Sequence, residues 1–128
     1  MPPRQRIGSG SPFEPTIGFS RAVRVGDRVL VSGTAPDFPD GSCPDDVTLQ
    51  ARRCLEIIEV ALAEAGAALS DVVRTRMFLV HAEDWPEVAR AHGEVFADIR
   101  PASTAVVVKA LLDTRWRVEV EADAVLPG

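Results

Sequence analysis

The sequence predicts a two-layer α+β domain in which two amphipathic helices cover one face of a mixed β-sheet. Three observations carry this. Two segments place apolar residues at spacings of three and four, several short runs alternate apolar and polar residues, and the elements follow one another as ββ-α-β-α-ββ. Two helices can cover only one side of such a sheet, so its other side is left facing solvent or another molecule.

Residues 1–17 are rich in Pro, Gly and Ser and read as an irregular N-terminal arm; residues 18–128 form the single domain. Arg21–Val25 and Arg28–Ser32 are β-rich runs joined by Gly26-Asp27, a pair that favours a hairpin turn. From Ala35 to Pro44, prolines and aspartates mark a surface loop. Asp45 and Asp46 can cap the first helix, which runs to Gly66. Its stripe is Val47, Ala51, Leu55, Ile58, Leu62 and Ala65.

A strand over Asp71–Val80 follows, with Val73, Met77 and Leu79 turned inward and Arg74 and Arg76 outward. Asp84 is expected to cap the second helix, with Glu87 closing a capping box and Pro86 in the first turn. Trp85, Val88, His92, Val95, Phe96 and Ile99 share its inward stripe, and Pro101 ends it. Two strands close the fold, Ser103–Ala110 and Arg115–Val125. The last alternates throughout: Trp116, Val118, Val120, Ala122 and Ala124 on one face, Arg115, Arg117, Glu119, Glu121 and Asp123 on the other. The uncovered face thus carries charges together with apolar members such as Val107, a mixture that suits packing against another copy.

Size and charge exclude several classes. A chain of 128 residues, 46% hydrophobic and 26% charged, suits one ordinary globular core. A net charge of −5, with Lys109 the one lysine, argues against a nucleic-acid surface. No apolar run approaches the roughly 20 residues that span a bilayer, and the charged start has no apolar segment behind it that would make a signal peptide. Cys43 and Cys54 lack metal or redox spacing and read as free thiols in a reducing compartment, so the expected location is the cytosol. No metal and no cofactor are expected: metal-ligand spacing is missing, and Gly8-Ser-Gly-Ser11 precedes no helix signal.

Two side chains stand out in their patterns. Glu119 sits mid-strand between Val118 and Val120; it either pairs with Arg74 or Arg76 across the sheet or lines a cleft with a raised pKa. His92, on the apolar stripe of the second helix, is either a core residue satisfied by backbone or a group at a cleft edge. His81 falls in a loop and reads as solvent-exposed.

Three blocks in this order resemble a known family. Val31-Ser-Gly-Thr34 is similar to its strand-end Ser-Gly block, and Asp71-Val-Val-Arg-Thr-Arg-Met-Phe-Leu79 to its central strand. Pro101-Ala-Ser-Thr-Ala-Val106, followed by Val118-Glu-Val-Glu-Ala122, resembles its closing signature. Over about Gly18 to Val125 the chain resembles the Rid (reactive intermediate deaminase, YjgF-like) family. The resemblance implies a chorismate-mutase-like fold, a homotrimer, and small-molecule pockets in the clefts between subunits.

Active members of that family hydrolyse enamines and imines to 2-keto acids and ammonia. An arginine holds the substrate carboxylate in a forked geometry, and a glutamate on the last strand handles the water. Carried over, the arginine falls on Ser103, the neighbouring small polar position on Ala105, the ring near the first strand on Phe19, and the second-helix asparagine on Ala89. Ser32, Gly33 and Glu119 match. The resemblance therefore implies a subgroup lacking the substrate-binding arginine, with Arg115 or Arg117 as candidate substitutes, or else as partners of carboxylates within the sheet.

The expected site comprises Glu119 as the group that activates water, with Phe19, Ser32, Gly33, His92, Ser103, Ala105 and Arg115 binding a small molecule. Ser103 and Glu119 are expected to face one cavity. The usual deaminase activity is expected to be weak or absent. The alternative is a metabolite-binding or interaction protein without catalysis; a ribonuclease role, suggested by an older family label, fits poorly with the acidic charge.

Overall fold

The computed structural model describes residues 4–128. Six strands form one sheet: β1 (Arg4–Ile7), β2 (Ala22–Val25), β3 (Arg28–Thr34), β4 (Val72–Leu79), β5 (Ala102–Val107) and β6 (Val118–Val125). Their order is β1-β2-β3-β6-β4-β5. All neighbours are antiparallel except β4 and β5, which run parallel with helix α2 (Trp85–Phe96) as their crossover. Helix α1 (Val47–Glu64) connects β3 to β4. The architecture is α+β, a mixed sheet with both helices on one face.

The core lies between helices and sheet. Ile58, Leu62, Val29, Val118, Val120 and Leu79 are all buried in it. Truncating a side chain such as Ile58 to Ala would cost about 2–5 kcal/mol, because so dense a layer relaxes little around the void. Asp46 caps α1 as its position predicts, its carboxylate accepting from the Thr48 and Leu49 amides. At the other end Gly66 adopts φ +84° and Arg24 donates to the Ala65 carbonyl, satisfying an orphan acceptor.

Several expectations need correction. The arm is not irregular throughout: Arg4–Ile7 pairs with β2, and Glu14–Gly18 makes a π-helical turn. Only Ile7 of that strand is buried, so no side-chain alternation announces it; the backbone ladder holds it, with Ile7 in the core and Gln5 donating to the Glu64 carbonyl at 3.2 Å. Residues 1–3 of the arm lie outside the described residues. In β4 the register shifts between Val72 and Arg74, which buries Val72 and Thr75 and leaves Val73 47% exposed.

The closing strands are shorter than expected. β5 ends at Val107, whose register partner Leu79 faces the helices, so Val106 and not Val107 lies on the open face. β6 begins only at Val118. Before it, the buried amide of Gln50 accepts from the Arg117 N–H at 2.8 Å and donates to the Arg115 carbonyl at 3.0 Å. A side chain from α1 thus replaces a ladder partner, and Arg115 and Arg117 do not alternate onto the face of Glu119.

Asp84 does not cap α2 with its side chain, and no capping box forms with Glu87. The Asp84 carboxylate is taken instead by Arg117, Nε at 3.0 Å and Nη2 at 2.7 Å. Trp85, expected inward, is 41% exposed.

Candidate functional site

The expected site residues fall into two groups on opposite faces of the sheet. On the open face, Glu119 of β6 stands half-buried beside Gly33, where a bulge separates the paired residues Val31 and Thr34 of β3. A Cβ placed on Gly33 would lie 3.4 Å from the Glu119 carboxyl carbon, so the missing side chain gives that carboxyl its room. Ser32 donates its hydroxyl to the Ser20 carbonyl at 2.7 Å. Together with Phe19 it lines an open concavity of about 760 Å³.

Burial pushes the Glu119 carboxyl above its ordinary value, Arg21 opposes the shift, and Glu121 adds to it. The cross-strand ion pair that would have made Glu119 structural is absent: Arg76 pairs with Glu121 at 2.9 Å and Asp123 at 3.7 Å. Glu119 makes no salt bridge among the described residues.

The second group lies on the helix side. Ser103 of β5 is in register with Thr75 of β4, which is in register with the buried Ala122 of β6. The buried Thr75 hydroxyl is 2.8 Å from Ser103 Oγ and 2.9 Å from His92 Nε2, so three polar side chains form one chain. His92 also stacks on Phe96 at 4.6 Å between ring centroids, and its burial holds the imidazole pKa below the ordinary range. Its ring nitrogen is satisfied by a hydroxyl, not by backbone. Ser103 opens on a hollow of about 530 Å³ walled by Leu79, Trp85, Ala105 and Val107.

Ser103 and Glu119 therefore do not share a cavity within one chain. Their strands flank β4 and are not adjacent, and the register sets Glu119 beside Phe78 and Val106 on the far side from Ser103. Arg115 joins neither group. It folds back on Asp113 at 2.8 Å and donates to the Gly41 carbonyl; Arg117 is likewise committed to Asp84 and Asp45.

Two residues went unmarked in the sequence. Thr75 is a hydroxyl placed in the inward stripe of β4 with Met77 and Leu79, a signal that was visible. Arg21, whose Nη1 donates to the Gly33 carbonyl at 3.2 Å and to Thr34 Oγ1 at 2.9 Å, gave none, because an arginine at a strand start is common. Among the described residues no three His, Cys, Asp or Glu side chains gather in a group that could hold a metal ion. No helix among them is long and apolar enough to cross a membrane. Desolvation pushes the buried Cys54 thiol up, away from the thiolate form.

The comparisons agree with this architecture. The Endoribonuclease L-PSP family matches residues 10–126. Rv2704 from Mycobacterium tuberculosis, described as a member of the YjgF/YER057c/UK114 family, is 44% identical with a TM-score of 0.89, over 97% of this chain and 100% of that one. The 2-iminobutanoate/2-iminopropanoate deaminase of Escherichia coli is 31% identical over 84% of this chain and 86% of its own. The crystal structure of E. coli TdcF with bound serine superposes with a TM-score of 0.81 at 26% identity, covering 95% of this chain and 94% of that one. Fold, motif blocks and relatives converge: the chain belongs to the Endoribonuclease L-PSP family, the YjgF/Rid group.

Proposed function

We propose that the protein works as a homotrimer that takes a small metabolite into clefts between subunits, where the Glu119 half of one copy meets the Ser103 half of the next. The observation that carries this reading is the placement of those halves on opposite sheet faces, which one chain cannot close into a pocket. The relatives support the ligand class, one being named an imine deaminase and another holding serine.

In such a cleft Glu119 is the general base. It accepts a proton from water as the oxygen attacks the carbon of a C=N bond and returns it to the nitrogen, giving a carbinolamine; it then carries the hydroxyl proton to the nitrogen, so that ammonia leaves and a carbonyl remains. A carboxyl raised by burial holds that proton better near neutral pH than an exposed one would. The polar group opposite is a hydroxyl backed by Thr75 and a neutral imidazole, with no cation at position 103. A 2-imino acid would lack its forked partner, and loss of a charged anchor costs several kcal/mol, about a thousandfold or more in rate. The reading is therefore a weak or absent 2-iminobutyrate deaminase acting on a differently anchored C=N compound. The second reading, a binder without turnover, rests on the same missing cation.

Two measurements test it. Light scattering at micromolar concentration should give the trimer mass, and a monomer would remove the cleft. Hydrolysis of enzymatically generated 2-iminobutyrate, run beside the E. coli deaminase, should be far slower; equal rates would refute the assignment. If another C=N compound is turned over, Glu119→Gln abolishes the rate and keeps binding; a pure binder shows no turnover in either form.

A further inference from the structure

Some of the partly buried arginines hold a carboxylate, whereas Arg21, like Arg24, bonds to neutral oxygens alone. Arg117 has Asp84 at 2.7 Å and Arg76 has Glu121 at 2.9 Å. Arg21 is half-buried, and its hydrogen bonds go to neutral oxygens only, both from Nη1. Its Nε and Nη2 donate to nothing among the described residues. Burial holds its pKa down, against the more distant pull of Asp37, Glu119 and Glu14. A guanidinium drawn partly from water without a contacting carboxylate is left with uncompensated desolvation and unused donors in fork geometry.

Arg21 lines a groove of about 250 Å³ on the helix side, between the end of β1 and helix α1. Ile7, Ile57, Val60 and Ala61 form its aliphatic wall. A second guanidinium, Arg53, lines it with a side chain 24% exposed, anchored through Nε to the Asp37 carbonyl at 2.8 Å and paired through Nη1 with the exposed Glu56 at 3.3 Å, which leaves Nη2 for a ligand. The Ser9 amide and hydroxyl, also at the groove, are both taken by Glu14. The acids that reach the groove, Asp37 and Glu64, are exposed and stand at its rim. The partly buried charges are thus cationic, and the solvated rim is anionic.

We propose that this groove is a second ligand site, separate from the subunit cleft, and that it binds a small organic monoanion: one carboxylate on Arg21 and Arg53, with a short aliphatic tail against Ile57, Val60 and Ala61. A forked guanidinium matches a carboxylate in two parallel bonds. The volume exceeds the roughly 150 Å³ that holds benzene, so a carboxylate with a tail of several carbon atoms fits. The rim acids repel a second negative charge, so a dianion such as phosphate is disfavoured although it too suits arginine.

The test is an NMR titration of the intact protein with butyrate, and with inorganic phosphate at matched ionic strength. Butyrate should give saturable shifts of the Arg21 Nε–H and the Gly8, Ser9 and Ala61 amides, and phosphate none. Arg21→Gln should weaken butyrate by about tenfold or more, the loss of one charge-assisted fork. Arg53→Gln should weaken it less, and it keeps the test open if the Arg21 variant unfolds. Two results overturn the site: no saturable shift with butyrate, or titration unchanged in Arg21→Gln and Arg53→Gln. Saturable shifts confined to Ser103 and His92 would also overturn it while leaving the cleft standing, so the two proposals fail separately.

Discussion

Arg117 grips Asp84 with two roughly parallel hydrogen bonds, 3.0 and 2.7 Å long, and so ties the start of β6 to the start of α2. The carboxylate is buried at 5% exposure, and Gln50 holds the adjacent backbone. Asp84→Ala leaves the guanidinium with only the exposed Asp45 at 3.5 Å and should cost about 1–3 kcal/mol, the loss of a charge-assisted fork from a partly buried group. Urea unfolding of both proteins at neutral pH measures this. A change within about 0.5 kcal/mol would mean that the pair is ornamental.

Glu119 should make stability fall as pH rises. Its folded pKa lies above the ordinary 4.5, so the native state keeps the proton longer than the unfolded chain does. Below the unfolded value both states are protonated and the group contributes nothing; above it, ionisation in a desolvated place opposes folding, fully so once pH passes the folded pKa. Glu119→Gln should raise the melting temperature at pH 7 and give no gain near pH 4. A variant less stable at pH 7 would show that the carboxylate is held by a partner.

His92 works in the opposite pH direction. Burial depresses its folded pKa below 6.5, so protons favour the unfolded chain, and stability should fall as pH drops through and below that value. His92→Gln, which keeps a donor for Thr75, should flatten this acid slope. Thr75→Val, leaving Ser103 and His92 without their shared hydroxyl, should cost about 1–3 kcal/mol at any pH. Thermal melts from pH 5 to 8 separate the two effects, and parallel curves for wild type and His92→Gln would dismiss the histidine.

Elements that bury a periodic face were legible in the sequence. The α1 stripe and the β6 alternation each write burial directly into spacing, and both helices and their order follow from it. What stayed hidden rests on backbone or on single long-range bonds. β1 is held largely by its ladder, and Gln50 delays the start of β6 through bonds spanning sixty-odd residues. Asp84 looked like a cap because a carboxylate before a helix serves either role, and only Arg117 in space decides. At the candidate site, residue identities could be carried over by motif, but faces could not. Placing Ser103 opposite Glu119 requires knowing that β6 inserts beside β4, and strand order is not written in any local pattern.

That placement has a genetic consequence. If each cleft takes Glu119 from one copy and Ser103 from its neighbour, the two residues need not come from the same polypeptide. A chain carrying Glu119→Gln and a chain carrying Ser103→Trp, each defective alone, should complement one another when unfolded together and reassembled. In an equal random mixture about a quarter of the clefts draw both intact halves and recover ligand binding and any turnover. A single chain bearing both substitutions, mixed with wild type in the same ratio, should give about the same quarter. Equal recovery in the two mixtures identifies a site shared between polypeptides, and no recovery in the first returns both residues to separate work within one chain.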